Sequence, residues 1–489
     1  MARTLILSWV LLGAQLATAS AQAIRIDPAV ISAHTRYLAD DLLRGRGTGT
    51  EGARLAALYL ESQCRVLGLR PIGDSYLLPV PLEEARVLPT TSLTATSARG
   101  TAEFLYLEDF LPNVGSRQAL KDFSGRAVFV GTESDVAHGL VGGLDLRGAV
   151  AVTVGPVRGP ALDTLAGRGV VGMVHIVMDP ATYQLYVRSR GPSRLYHRSD
   201  DVPSSFLPSL PSVLAGPRVG RALLDGLRLE QNGEPMPQAL AWGVDAHIAT
   251  EVHPVDEANV GCLLPGTDPA ARDTAIAFTA HYDHLGVSTP DENGDSIYNG
   301  FSDDAAGAAM LLAIGTSLTR GEAPPLRHSV LLLFFTGEER GLLGSDAYVA
   351  HPAWPLPRTL AVINLDAGAP PGRPVSWRLA GADSTGLGAV GLEVATNMGW
   401  TVTTSPASAN SDYFPFYRNG VPSVFIIPGP EPYEGMDADS TAALRKRWDH
   451  YHQAADEWSS DFPFGGLERY AEFALLVAEA ADRGFARGR

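Results

Sequence analysis

The chain has 489 residues, of which 45% are hydrophobic and 19% charged, a composition typical of a folded globular protein. A chain of this length is longer than an ordinary domain with a single core, which predicts two domains. Because the formal net charge is −16 and no basic stripe is present, a nucleic-acid partner is not expected.

The first 21 residues predict a cleavable signal peptide. Arg3 supplies the positive start, Leu5 to Leu16 form an apolar run, and Ala19-Ser20-Ala21 is a small-residue cleavage site. The apolar run is too short to span a bilayer, and no later stretch reaches that length. We therefore expect an exported protein, secreted or periplasmic, without a membrane span.

The two cysteines, Cys64 and Cys262, are too few for a disulfide framework. Cys64 lies in a predicted amphipathic helix and Cys262 in a strand-like run. Two separate, buried thiols are the favoured interpretation. An exported location would permit a bridge, and the sequence alone leaves that alternative open.

Residues 24 to 84 predict helices followed by a strand. Pro28 to Leu43 has a helical pattern, Gly45 to Gly52 is a Gly/Thr loop, and Glu51 to Leu67 is a strongly amphipathic helix ended by Gly68. Residues 85 to 250 contain short β-like runs separated by glycine and proline, which predicts an inserted β-rich domain.

From Ala258 onward, predicted strands alternate with helices. Such alternation is typical of an α/β fold with a mainly parallel mixed sheet flanked by helices. Residues 24–84 and 251–489 are therefore expected to form one discontinuous catalytic domain, interrupted by the inserted domain of residues 85–250.

Metal-ligand residue types follow several predicted strands of this region. His281 follows the apolar run Ala275 to Thr279, Glu338-Glu339 follows Val330 to Thr336, and Asp366 follows Leu360 to Ile363. In an open α/β sheet, binding residues gather at the carboxyl ends of strands. Two divalent metals held there could together polarise a carbonyl and activate water, and imidazole with carboxylate ligands suits zinc.

Each of these signals has a structural alternative. Asp303 and Asp304 precede a helix of small residues and could simply cap it. Asp366 could be a turn aspartate, and His452 an exposed loop histidine. Adjacent carboxylates such as Glu338-Glu339 repel each other unless a cation or a shared proton intervenes, so this pair favours the metal hypothesis.

The ordered set resembles the zinc exopeptidases of the bacterial leucyl aminopeptidase and glutamate carboxypeptidase type. The resemblance covers most of the chain outside residues 85 to 250. It rests on Arg36 to Asp41, Gly45 to Thr50, Asn259 to Pro269, His281 to Gly286, Ser411 to Pro422 and Tyr451 to Asp456.

This resemblance implies a role for each matching residue and a cofactor of two Zn²⁺ ions, with other divalent metals possible. His281 and Asp366 would bind one metal, and Glu339 and His452 the other. Asp303 would bridge them. Glu338 would be the general base. Asp283 would orient His281, and Tyr451 would donate a hydrogen bond to the developing oxyanion.

Two further features bear on substrate choice. Tyr413 stands where the family commonly has histidine, so we expect it to affect the substrate pocket. Within the inserted region, Asp145 to Val152 and Leu207 to Val213 resemble a protease-associated domain, which could restrict entry to the site. The alternative is a β-rich decoration without a catalytic role.

The implied substrates are peptides, and the implied activity is that of an aminopeptidase. A carboxypeptidase or dipeptide hydrolase would use the same site, with Arg378, Arg418 or Arg445 as candidates to hold a free carboxylate. A non-catalytic receptor is disfavoured because every ligand and Glu338 are intact, and a cyclase of N-terminal glutamine is disfavoured by the full two-metal set. Neither the preferred residue nor the oligomeric state follows from the sequence.

Overall fold

A computed structural model describes residues 23–113, 119–157, 159–190, 193–199, 201–202, 210–225, 227, 236–382 and 386–487. The predicted signal peptide, and residues 207–209 of the protease-associated resemblance, lie outside the described residues. No helix in the described ranges is both long and apolar enough to cross a bilayer.

The helices lie mostly around the first of two large sheets. They are α1 Pro28–Leu38, α2 Glu51–Val66, α3 Glu133–Ala137, α4 Gly159–Gly167, α5 Pro180–Arg190, α6 Pro217–Leu224, α7 Ala306–Thr319, α8 Leu343–Ala350, α9 Gly386–Met398, α10 Tyr413–Arg418, α11 Ala438–Arg447 and α12 Gly465–Arg487.

The strands divide between these two sheets and one short hairpin. They are β1 Arg70–Pro71, β2 Leu77–Val87, β3 Ser92–Ser97, β4 Gly100–Phe104, β5 Phe110–Pro112, β6 Phe123–Gly131, β7 Ala149–Val154, β8 Gly172–Ile176, β9 Ser193–His197, β10 Ser212–Ala215, β11 Gln238–His247, β12 Thr250–Leu264, β13 Ala275–His281, β14 Gly286–Val287, β15 Ile297–Tyr298, β16 Ser329–Phe335, β17 Thr359–Asn364, β18 Ser376–Ala380, β19 Thr401–Ser405 and β20 Ser423–Pro428.

The first sheet confirms the predicted mixed α/β fold. Its strand order is β19-β18-β20-β17-β13-β16-β12-β2-β9, with β1 paired to β12. The central strands β16, β13, β17 and β20 are mutually parallel, and β12, β2 and β9 continue the sheet in antiparallel pairing.

Alternate side chains of the central strands enter cores on opposite faces of the sheet. Ile276 and Phe278 pack into a core that includes α1, α2, α7, α9 and α12. Ala277 and Leu331 pack into the core formed with α8 and α10. Because both faces are covered, these strands are apolar throughout, which is why they appear as unbroken hydrophobic runs in the sequence.

The helical pattern predicted over Pro28 to Leu43 is shorter in the structure. The first helix ends at Leu38, and residues 41–46 form a separate 3₁₀ turn. The Asp40 side chain accepts a hydrogen bond from Leu42 N–H at 3.0 Å. Such a cap starts a new turn and competes with continuation of the helix.

The second sheet has the strand order β4-β3-β11-β6-β7-β8-β10-β5. Its members β6, β7, β8 and β10 are parallel, so this region is itself partly α/β in character, with α4 and α6 between strands. Of the strands β3 to β11, only β9 lies outside this sheet, and it pairs with β2 at the edge of the first sheet. The inserted span therefore contributes to both sheets.

Cys64 and Cys262 form a disulfide bond, so the expectation of separate thiols is wrong. The bond joins α2 to β12 across 198 residues of sequence, and both residues are fully buried. Sequence periodicity placed each cysteine on a core-facing position but could not reveal that the two positions face each other. The bridge fastens α2 to the first sheet.

We predict that replacing both cysteines by alanine lowers the free energy of unfolding by roughly 2–4 kcal/mol, the usual effect of losing a native bridge. Denaturant unfolding of both proteins, with and without a phosphine reductant, would measure this. The double-alanine protein serves as the control because the midpoint of its unfolding should be the same with and without the reductant. An unchanged midpoint between the oxidised wild type and the double variant would contradict the prediction.

Candidate functional site

Three predicted site segments lie at the carboxyl ends of neighbouring parallel strands. The strand β13 ends at His281, Glu338 and Glu339 follow β16, and Asp366 follows β17. Because these strands are adjacent and parallel, their ends share one edge of the sheet, as the sequence predicted.

Asp303 reaches the same edge from a tight turn, Phe301–Ala305, that precedes α7. Gly300 enters this turn with φ of 59°. A Cβ atom on Gly300 would lie 2.3 Å from the Asp303 carbonyl oxygen and 2.5 Å from the His284 ring, so only glycine fits. The Asp303–Asp304 peptide bond is cis.

His281 and two carboxylates form the first cluster. The imidazole Nε2 lies 3.0 Å from Asp303 Oδ1 and 3.1 Å from Asp366 Oδ1. On the other side of the ring, Nδ1 is 2.9 Å from the backbone oxygen of Asp283 and 3.7 Å from its carboxylate. Asp283 thus contacts His281 most closely through its carbonyl, where we had expected its side chain.

Glu339 and two imidazoles form the second cluster. Glu339 Oε1 lies 2.7 Å from His284 Nδ1 and 3.4 Å from His452 Nε2. Asp303 Oδ2 lies 3.0 Å from His452 Nε2 and 3.8 Å from His284 Nδ1. Asp303 therefore directs one carboxylate oxygen to each cluster.

The residues of both clusters fit a divalent cation. Potential ligand atoms of His281, Asp303 and Asp366 lie within 4.8 Å of one another, as do those of His284, Asp303 and Glu339. Both His284 nitrogens, Glu339 Oε1 and His452 Nε2 are buried without a hydrogen-bond partner. Buried polar atoms normally have hydrogen-bond partners. These four atoms lie close together without forming hydrogen bonds, as is consistent with ligands that converge on an ion.

Charge at this edge of the sheet also favours a cation. Burial acts to lower the pKa of His452, but the nearby Asp303 and Glu339 carboxylates outweigh it and raise the pKa to about 10. Burial and the Asp303 charge act to raise the pKa of Glu339, but the nearby imidazoles of His284 and His452 outweigh them and lower it to about 2. The carboxylates thus favour the protonated form of His452, and a bound metal ion would supply the positive charge in its place.

Glu338 lies beside the clusters and is partly exposed. Its backbone N–H donates to Asp283 Oδ1 at 3.2 Å, and Asp283 Oδ2 accepts a hydrogen bond from the Thr48 hydroxyl at 2.7 Å. Burial raises the pKa of the Glu338 carboxyl well above its usual range; His281 opposes this and Asp366 adds to it. Such an environment suits a carboxylate that must accept a proton.

Asp456 connects the two segments that carry Asp303 and His452. Both of its carboxylate oxygens lie 3.0 Å from Ser302 N, and one lies 3.3 Å from Asp303 N. The Asp456 carbonyl also accepts a hydrogen bond from Phe301 N at 3.0 Å. The loop that bears His452 is therefore tied directly to the turn that bears Asp303.

Asp366 is fixed by a chain of hydrogen bonds. The Ser411 hydroxyl donates to Asp366 Oδ2. Asn364 Nδ2 donates to Ser411 Oγ at 2.7 Å, and the Thr279 hydroxyl donates to Asn364 Oδ1 at 2.6 Å. Hydrogen bonds of this kind orient metal-binding carboxylates.

Two tyrosines singled out by the sequence differ in position. Tyr451 is 64% exposed, and its ring stacks on His452 with ring centres 3.8 Å apart. Tyr413 is fully buried, accepts a hydrogen bond from Ser408 N–H at 2.8 Å and packs near Phe425. Any effect of Tyr413 on the substrate pocket is therefore indirect.

The sequence analysis missed His284, Asp456 and Arg46 as site residues. His284 stands in the same short motif as His281, and Asp456 follows His452 by four positions. Their proximity to recognised residues was a signal, but their contacts depend on the folded backbone. Arg46 lies in a motif to which we had assigned no role.

Comparison with known proteins identifies relatives of this chain. The model of "Peptidase family M28" matches residues 259–478. A probable leucine aminopeptidase 2 of Aspergillus oryzae is 26% identical over 261 residues, which is 50% of this chain and 47% of that protein. The chain thus spans about half the length of this curated relative.

A solved structure shares the fold. An aminopeptidase from Aneurinibacillus sp. strain AM-1 is 18% identical and aligns over 94% of both chains with a TM-score of 0.59. The zinc aminopeptidase BSAP from Bacillus subtilis is 16% identical, covers 93% of this chain and 95% of its own, and has a TM-score of 0.47. All five predicted metal ligands lie within the range that matches the family model. Residues 259–478 of the chain, which carry the candidate site, are thus similar to peptidase family M28.

Proposed function

We propose that the chain is an exported metallopeptidase that holds two zinc ions and removes residues from the N-termini of peptides. The observation that carries this proposal is the position of Asp303, whose two oxygens face two separate clusters of ligand atoms. A bridging carboxylate of this kind is what a paired-metal site requires.

In this proposal His281 and Asp366 hold one ion, Glu339 and His452 hold the other, and Asp303 is shared. When bound, the zinc ions polarise the scissile carbonyl and lower the pKa of water. His284, at 2.7 Å from Glu339, orients that carboxylate or adds a ligand atom to the second cluster.

Glu338 is proposed as the general base. Its position is set by the hydrogen bond from its backbone N–H to Asp283, and its environment favours the protonated form. The carboxylate would take a proton from the attacking water and return it to the leaving amine, so one group acts as base and then as acid.

Tyr451 is proposed to donate a hydrogen bond to the oxyanion. Its stacking on His452 places it beside the ligand clusters. Burial of the hydroxyl, with the charges of Asp303 and Glu339, raises the pKa of Tyr451. The group therefore stays protonated and available as a donor.

Charge around the site favours an aminopeptidase over a carboxypeptidase. Of the arginines considered for binding a free carboxylate, Arg418 pairs with Asp346 at 2.9 Å, and Arg445 donates to the backbone oxygens of residues 429–431. The excess of carboxylates at the sheet edge suits a free α-ammonium group.

Export and the role of residues 85–250 are parts of the same proposal. The buried disulfide is consistent with an oxidising compartment, which supports the predicted signal peptide. We propose that residues 24–84 and 251–489 form the catalytic unit and that residues 85–250, as a protease-associated-like insert, shape access to it. The separate second sheet supports this division.

Asp303→Asn should release both metal ions, because it removes an anionic oxygen shared by two clusters. Asp304→Asn is the matched control: Asp304 Oδ1 accepts a hydrogen bond from Gly307 N at 2.9 Å, and an amide oxygen can do the same. Metal analysis should find two ions per chain in the wild type and in Asp304→Asn. Retention of one ion by Asp303→Asn would contradict the bridging role.

Glu338→Gln should retain its metals and lose roughly 10²–10⁴-fold in turnover, the usual contribution of a general base. Glu339→Gln should instead weaken metal binding. Turnover and metal content of the two variants, measured in parallel, separate the roles. If the phenotypes are exchanged, the assignment within this pair is wrong.

A peptide with a free N-terminus should be hydrolysed, and the same peptide acetylated at its N-terminus should remain intact. The acetyl group removes the α-ammonium charge and adds bulk where the chain should end. Chromatography of both digests measures this, with a C-terminally amidated peptide as the control that should still be cut. Cleavage of the acetylated peptide with refusal of the amidated one would indicate a carboxypeptidase.

A further inference from the structure

Arg46 is a fully buried charged residue that the proposed mechanism does not use. It lies in the Gly45–Thr50 motif, more than 200 positions before the first predicted metal ligand. The inference that follows concerns the metal site and so rests on the proposed function.

The guanidinium of Arg46 donates to backbone oxygens on three separate segments. Its Nε lies 2.6 Å from the Tyr282 oxygen, one NH group lies 2.6 Å from the Asn299 oxygen, and the other lies 2.9 Å from the Gly300 oxygen. It also donates to the Leu38 oxygen at the end of α1. A planar fork with five N–H donors is suited to such a set, and a lysine ammonium is not.

These acceptors lie directly beside the predicted ligands. Tyr282 follows His281, and Gly300 begins the turn that carries Asp303. In the reverse direction, the Arg46 carbonyl accepts a hydrogen bond from His284 N–H at 3.2 Å. Arg46 therefore joins the histidine segment of the site to the segment of its bridging carboxylate.

The backbone around Arg46 is held in a conformation that side chains disfavour. Arg44, Gly45 and Arg46 have φ values of 48°, 65° and 48°. A Cβ atom on Gly45 would lie 2.3 Å from the Tyr298 oxygen, so the loop packs directly against the segment that leads into the Asp303 turn. Non-glycine residues persist in the left-handed region only where their surroundings impose it, and such residues cluster at functional sites.

No carboxylate in the described ranges forms an ion pair with Arg46. Burial lowers the pKa of Arg46 to about 10, and the charges of four nearby carboxylates oppose this shift: Asp283, Asp456, Asp304 and Asp303. Burial of a cation without an anionic partner in direct contact costs free energy. Its presence at this place is explained by the backbone oxygens it holds and the carboxylates around it.

We propose that Arg46 is a positioning residue of the metal centre, which fixes the distance between the segment of His281 and His284 and the turn of Asp303 before any ion binds. Thr48 lies in the same loop and donates a hydrogen bond to Asp283 at 2.7 Å. This contact extends the support to Asp283. The N-terminal loop is thus part of the metal site although it supplies no ligand.

The test is a titration of metal-depleted full-length protein with Co²⁺, followed by visible absorption. Arg46→Met should weaken Co²⁺ binding roughly 10- to 100-fold, the range known for outer-shell partners of metal sites. Arg46→Lys should restore little of the affinity, because one ammonium cannot bond to four separated oxygens. The absorption bands of both variants should differ from those of the wild type.

Arg168→Met is the matched control. Arg168 also donates to three backbone oxygens, those of Val141, Gly142 and Leu144, but it lies in the region of the second sheet. This variant should lose thermal stability and yet bind Co²⁺ with wild-type affinity and spectrum. If Arg46→Met does the same, Arg46 is a purely structural residue and the inference is overturned.

Hydrogen exchange on the wild-type protein tests the same coupling without a mutation that could prevent folding. If Arg46 links loop and ligands, Co²⁺ binding must slow amide exchange in residues 43–50, because coupling is reciprocal. Equal exchange with and without Co²⁺ would overturn the inference. Neither measurement depends on peptide hydrolysis, so a protein that binds Co²⁺ in this way but cleaves no peptide would contradict only the proposed function.

Discussion

The parallel alignment of β16, β13 and β17 is the constraint on which the site depends. His281 lies opposite Phe335, and Thr279 lies opposite Asn364. The residues that follow the three strands therefore lie along one edge of the sheet. A sheet with antiparallel neighbours at this point would send these residues to opposite edges. The same alignment brings several carboxylates close together, and their mutual repulsion favours a cation at this edge.

The site is supported from parts of the chain that are distant in sequence. The predicted ligands all come from the range that matches peptidase family M28, whereas Arg46 and Thr48 come from the N-terminal segment. The disulfide fastens that segment to β12 through α2. The predicted ligands therefore lie on the parallel sheet, and the residues proposed to align them lie in the segment packed against it.

The strand-end positions of the candidate ligands and the α/β fold could be predicted because both are encoded locally. Apolar runs of strand length ended by Glu338-Glu339 or Asp366 are visible without a structure, and so is the alternation of strand and helix. The disulfide, His284 and Asp456 could not be predicted in this way. Each depends on two distant segments meeting in space, and periodicity reports only which face of its own element a residue occupies.

The strand β9 connects the inserted span to the first sheet in a way that constrains both. It pairs with β2 through residues 193–197, while β2 remains paired along its full length with residues 250–260 of β12. Without β9, the long strand β2 would present free N–H and C=O groups at the outer margin of the sheet. Exposed margins of this kind recruit strands from other molecules, and short terminal strands are a common protection against it. The insert, through β9, thereby covers residues 82–86 of β2 at the margin of the first sheet, a protection that does not depend on any substrate.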